Sequence, residues 1–213
     1  MPTTTPLRRI LTTVTATAAV VLTATGPAVA VPVVGPPTAQ TAVSGPTTTS
    51  VLGPAALHPV VELSAERLAT ADLVAAAKWG TESPIDDPVR EQQVLDSVAA
   101  QAEQLGVDPD EVRLIFRDQI EANKTVQRAL FRRWTDHPEQ APATRPDLSV
   151  VRKEINRVNA ALVQTLAGTA ADREAPVCLP ELVLAVVHVH HEKDLDPLHT
   201  TALARSLRSV CGS

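Results

Sequence analysis

Three side-chain amides follow one another at four-residue steps in the middle of the chain: Gln119, Asn123 and Gln127. On a helix this spacing draws a single line along the surface. The line borders an apolar stripe that includes Phe116, Ile120 and Leu130. Amides on a core-facing edge need partners, because an unpaired buried amide costs free energy. They either bond to neighbouring helices or line a pocket. Cations occur at matching periods. Arg67 and Lys78 are 11 residues apart, so they share a helix face with Ala71, Val74 and Ala75. Those small residues let a partner helix or a ligand approach closely. Asp87, Arg90 and Glu91 cluster at the start of another helix, and Arg152 follows the apolar Val151. Taken singly, each cation reads as a solvated or snorkelling side chain and Asp87 as a cap. Gathered in one pocket, the same cations would suit an anionic ligand.

The elements that must position these residues are helical. The chain is rich in Ala, Val and Leu, holds only 8 Gly, and has no Tyr. No stretch alternates with period two for long enough to be a good strand. A first helix is expected near Pro59 to Trp79, ended by the Ser83-Pro84 turn. Pro88 fits the first position of a second helix, with Asp87 as its N-cap, running to about Gly106. The third has the clearest start: Asp108 caps it, Pro109 opens it and Glu111 sits at the capping-box position. Its stripe is Val112, Ile115, Phe116, Ile120, Val126, Leu130 and Trp134. The Pro-rich loop His137 to Pro146 stops it. A fourth helix begins near Asp147 and carries Val151, Ile155, Val158, Leu162 and Leu166. Two shorter helices are expected at Pro180–Lys193 and Pro197–Val210. The fold class is all-α, a single-domain bundle of about six helices.

The N-terminal region reads differently. Arg8 and Arg9, the apolar run Ile10 to Leu22 and the small-x-small site Ala28-Val29-Ala30 form a secretion signal over residues 1–30. The run is too short and Thr-rich for a good membrane span, so no stable membrane anchor is expected after cleavage. Residues 31–56, rich in Pro, Thr and Val with almost no charge, read as a flexible linker. Residues 57–213 form the folded domain. The formal charge is −5, and cleavage of the signal removes two basic residues and no acidic one. That balance argues against a nucleic-acid partner, which needs a basic surface. An even pair of cysteines, Cys178 and Cys211, in an exported chain suggests one disulfide pinning the C-terminal segment. Export places the protein outside the cytoplasm, secreted or in the cell envelope.

His188, His190, His191 and Glu192 form a histidine tract in which His188, His191 and Glu192 would share a helix face. Metal-binding helices more often show a tight two-histidine motif with a further distant ligand. The tract therefore reads as a polar helix end, and no metal is assigned. Asn123-Lys124-Thr125 is formally a glycosylation sequon, set aside because a sugar there would fill the pocket.

Four strings carry a family resemblance: Glu66-Arg67-Leu68, Ala77-Lys78-Trp79, Pro84-Ile85-Asp86-Asp87-Pro88-Val89-Arg90-Glu91, and Phe116 through Lys124 with its Gln-Ile-Glu-Ala-Asn core. Their order and spacing resemble the all-helical chorismate mutases, above all the exported subclass, over roughly residues 57 to 213. The resemblance implies an isomerase that turns chorismate into prephenate without a cofactor. Chorismate is a dianion that must fold into a chair-like conformer before a concerted rearrangement. An enzyme can hold that conformer and place donors where charge develops on the breaking ether oxygen.

By the same resemblance, Arg67 and Arg152 each grip a carboxylate, as guanidinium forks do well. Lys78 contacts the ether oxygen and a carboxylate, and Gln127 donates to the same oxygen. Glu91 and the backbone amide of Asp87 hold the ring hydroxyl. Arg90 supports the site or a carboxylate, Asn123 bonds a carboxylate, and Val94 completes the binding set. The family further implies a homodimer, with the pocket of the exported subclass built from one chain. The competing reading is a secreted helical interaction protein that kept the bundle without catalysis. Such a relative should have lost at least one of Arg67, Lys78, Arg90, Gln127 and Arg152, and none is missing.

Overall fold

The computed structural model describes residues 56–212. The expected signal segment and all but the last residue of the expected linker lie outside the described residues. Among the described residues seven α-helices follow one another: α1 His58–Lys78, α2 Pro88–Gln104, α3 Pro109–Asp136, α4 Leu148–Gly168, α5 Ala170–Glu174, α6 Cys178–Glu192 and α7 Pro197–Ser206. No strand occurs among the described residues.

Helix α1 is the central post. It packs against α3, α4, α6 and α7, while α2 bridges α3 and α4. Buried positions cover most of the α1 circumference, Val60, Val61, Leu68, Ala71 and Ala75 among them, while Glu62, Ala69 and Leu73 leave one face to solvent. A helix buried over so wide an arc is the expected occupant of a bundle interior. Its alanines allow close approach of α4 and α3. Two polar members of that buried set, Arg67 and Lys78, are nearly shut off from solvent as well.

The helix starts follow their local signals. Asp87 accepts a hydrogen bond from the backbone N–H of Arg90 at 3.0 Å, ahead of Pro88. Asp108 accepts from the N–H of Asp110 at 2.8 Å, ahead of Pro109. Asp147 and Asp196 cap α4 and α7 in the same way. Side-chain oxygens at these positions satisfy N–H groups that have no partner within the helix. Gly106 ends α2 with φ +72°, and the N–H of Val107 returns to the carbonyl of Ala102. That left-handed closure favours glycine.

Four details differ from expectation. The capping box at α3 does not close. The Glu111 carboxylate instead pairs with the guanidinium of Arg173, which is 2% exposed. A buried cation outbids a solvated backbone amide for the carboxylate, because leaving it unpaired would be far more costly. A short seventh helix, α5, sits between α4 and α6, where it carries Arg173 to that pair. Helix α6 begins at Cys178, two residues before Pro180, and α7 stops at Ser206 rather than running on to Val210. Proline is tolerated in a first turn, so Pro180 did not mark the boundary. The disulfide joins Cys178 to Cys211, clamping the tail after α7 onto the start of α6.

Candidate functional site

A cavity opens between α1, α2, α3 and α4. The nine residues singled out from the sequence, Arg67, Lys78, Asp87, Arg90, Glu91, Val94, Asn123, Gln127 and Arg152, all line it. Apolar walls come from Val74, Ile85, Ile120, Leu148 and Ile155. One cation, Lys124, was missed by sequence reasoning. It lies next to Asn123 and one turn before Gln127, so the helical period that found those amides could have found it.

The cavity lining holds five cations, Arg67, Lys78, Arg90, Lys124 and Arg152, against two carboxylates, Asp87 and Glu91. The excess is positive in a chain whose formal charge is −5. Lys124 is largely spoken for: its Nζ lies 3.1 Å from Glu91 Oε1 and 3.3 Å from Asp86 Oδ1. Burial works against its charge, yet the carboxylates of Glu121, Glu91 and Asp86 prevail and raise its pKa. Arg152, near the start of α4, makes no hydrogen bond or ion pair among the described residues and is exposed at the cavity rim.

Arg67 is held with care. Its Nε donates to Asn159 Oδ1 at 2.9 Å and its Nη1 to the backbone carbonyl of Gln119 at 3.0 Å. The guanidinium carbon stands 5.7 Å from the centre of the Phe116 ring. No carboxylate pairs with it among the described residues, and burial pulls its pKa down to about 10, which leaves it charged at neutral pH. An uncompensated interior cation is expensive, and a bound anion would relieve that cost.

Lys78 ends α1. Its Nζ donates to the backbone carbonyls of Pro84 (2.8 Å) and Ile85 (3.3 Å) in the loop that leads to α2. Trp79, packed edge-on against Phe131 and Trp134, anchors the start of that loop. Burial lowers the pKa of Lys78. Asp87 opposes this, while Arg152 reinforces it, which places the two cations in each other's field. Arg90 Nη2 donates to Asn156 Oδ1 at 3.1 Å, tying α2 to α4 at the edge of the cavity.

The amide line divides into two jobs. Gln119 is fully buried and structural: its Nε2 donates to Ser64 Oγ (2.8 Å) and to the carbonyl of Ser206 (3.2 Å). Asn123 donates back to the carbonyl of Gln119 at 3.2 Å while bordering the cavity. Gln127 also borders the cavity, and its Oε1 is buried with no partner among the described residues. Asn159, which orients Arg67, carried no signal of its own beyond lying seven residues after Arg152, on the same face of α4.

Fold and cavity together define an all-helical protein that encloses a cationic pocket within a four-helix core. Comparison with known proteins narrows this. Residues 59–128 match the sequence profile described as chorismate mutase type II. The chain is 39% identical over 155 residues to a secreted chorismate mutase of Mycolicibacterium smegmatis, covering 73% of this chain and 86% of that one. It is 34% identical to a secreted chorismate mutase of Mycobacterium tuberculosis, covering 75% and 80% of the two chains. Among solved structures, a chorismate mutase from Burkholderia phymatum superposes with a TM-score of 0.71 at 38% identity, covering 74% of this chain and 97% of that one. The chain belongs to the chorismate mutase family.

Proposed function

We propose that the protein rearranges chorismate to prephenate within the cavity between α1 and α4. The observation that carries this reading is the five-to-two excess of cations over carboxylates around one small chamber, with the Gln127 amide at its wall. Chorismate brings two carboxylates and an ether bond that breaks as a carbon–carbon bond forms elsewhere in the same molecule. No group is transferred to the protein, so catalysis rests on binding the compact conformer and on stabilising negative charge at the ether oxygen.

The roles follow from charge and position. Arg67, rigidly seated and lacking a carboxylate partner, grips one carboxylate with its free guanidinium edge. Arg152, unpaired at the rim, grips the other. Lys78, fixed by the Pro84 and Ile85 carbonyls, supplies the positive charge nearest the breaking bond. Gln127 donates its amide hydrogens to the ether oxygen. Glu91, steadied by Lys124, and the backbone N–H of Asp87 receive the ring hydroxyl. Asn123 adds a carboxylate contact, Val94 forms part of the wall, and Arg90 braces α2 against α4. The interaction-protein alternative is not favoured, since it should have lost at least one of Arg67, Lys78, Arg90, Gln127 and Arg152, and all five are present and line the cavity.

Export fits a protein with a structural disulfide and with relatives named as secreted. No described helix is long and apolar enough to cross a membrane. A cleaved signal within residues 1–30 and a homodimer complete the proposal. Intact-mass measurement of the exported protein tests the first, and light scattering tests the second.

The decisive experiment follows the loss of chorismate absorbance. Lys78→Ala and Arg152→Ala should each slow turnover by about a hundred- to a thousandfold, because one preorganised electrostatic donor contributes about 2.7–4 kcal/mol. Wild-type protein that leaves the spontaneous rate of decay unchanged would overturn the proposal.

A further inference from the structure

Far along α1 from Lys78, a second group of side chains converges. His58, the first residue of α1, places its Nε2 3.1 Å from Oε2 of Glu192, the last residue of α6. His188, one turn earlier on α6, presents its ring edge-on to that of His58 at 6.0 Å between centres. One ligand atom from each of the three lies within 4.8 Å of the others. None of the three lines the cationic cavity.

We infer that His58, His188 and Glu192 form a binding site for one divalent transition-metal ion, Zn²⁺ by donor set. Two imidazole nitrogens and one carboxylate oxygen are ordinary zinc ligands. A tetrahedral ion with bonds of about 2.0–2.1 Å holds its ligand atoms roughly 3.4 Å apart. The His58–Glu192 pair, at 3.1 Å, is close to that spacing. His188 is exposed, which leaves its side chain room to rotate toward the other two ligands. The fourth position faces solvent and takes water. The rest of the histidine tract is turned to other work. His190 Nδ1 is 2.9 Å from Thr200 Oγ1, and His191 stacks edge-on against His190 rather than toward His58. The ion would fasten the first residue of α1 to the last turn of α6, 134 positions away in sequence.

The test uses the untagged protein as its host produces it, titrated with Zn²⁺ by calorimetry and by thermal unfolding. One ion should bind per chain, and the melting temperature should rise with Zn²⁺ concentration, as for any ligand that prefers the folded state. His188→Ala and Glu192→Gln, both at exposed positions, should fold normally and lose binding. His58→Ala should lose it as well, and His191→Ala should keep it. Mutase turnover should be the same with and without Zn²⁺. Absence of saturable one-to-one binding would overturn the site. So would binding that survives His58→Ala but is lost in His191→Ala, because the ion would then sit on the histidine tract alone.

Discussion

Asn159 Oδ1 accepts a hydrogen bond from Arg67 Nε at 2.9 Å, and both side chains are buried. With the Gln119 carbonyl on Nη1, this contact fixes the plane of the guanidinium before any ligand arrives. Asn159→Ala should therefore lower kcat/KM for chorismate by about tenfold or more, since a hydrogen bond to a charged group contributes about 1.5–3 kcal/mol. Asn159→Asp should separate orientation from charge. It would keep Arg67 in place but neutralise it, so KM should rise while the fold holds. Steady-state kinetics and circular dichroism check both variants.

A glutamine at position 127 donates its amide hydrogens at any pH. Turnover should then be flat across roughly pH 5 to 8, where Asp and Glu are largely ionised and Lys and Arg charged. In Gln127→Glu the introduced carboxyl donates only while protonated. Activity should be retained in acid and fall steeply as pH rises, because the ionised form loses its hydrogen and repels the dianion. A wild-type profile that itself drops across this range would remove Gln127 from the proposed role.

His199 joins two helices electrostatically. Its Nε2 lies 2.8 Å from Asp72 Oδ2 on α1, and its Nδ1 lies 3.0 Å from Asp196, the cap of its own helix α7. The Asp72 hydrogen bond outweighs desolvation, Asp196 adds to it, and the pKa rises from 6.5 to about 9. A raised folded-state pKa stabilises fully below the unfolded value and is lost as pH climbs through the folded one. The melting temperature should thus decline as pH rises from 6.5 toward 9. His199→Gln should remove that part of the slope, as measured by thermal unfolding at a series of pH values.

Glu111 is the counter-ion of a nearly inaccessible Arg173. Removing one partner of a buried pair is more damaging than never having had the pair. Glu111→Ala should destabilise the fold by about 3 kcal/mol or more. Replacing both residues with apolar side chains should recover much of that loss. Urea denaturation with a two-state fit distinguishes the two outcomes.

Signals confined to one helix were readable in sequence. Asp-Pro pairs gave the starts of α2 and α3, the 11-residue step put Arg67 and Lys78 on one face, and the amide spacing aligned Gln119, Asn123 and Gln127. Partnerships between helices were not readable. Nothing local says that Gln119 turns toward Ser64 and Ser206 while Gln127 faces the cavity, because the division depends on where α1 and α7 pack. Glu111 has a valid capping-box address, yet Arg173 claims it from 62 positions away. His58 looks like an ordinary first-turn residue until α6 brings Glu192 beside it. The five residues of α5 are too few for a periodic pattern to register.

Gln119 faces two ways at once. Its side chain holds the last turn of α7, and its carbonyl holds Arg67. The tail just beyond α7 is in turn stapled to α6 by Cys178–Cys211. A staple that does not line the cavity is thus linked to the carboxylate grip through one glutamine. Reduction of the disulfide should therefore raise KM for chorismate, which steady-state kinetics with and without a thiol reductant would show.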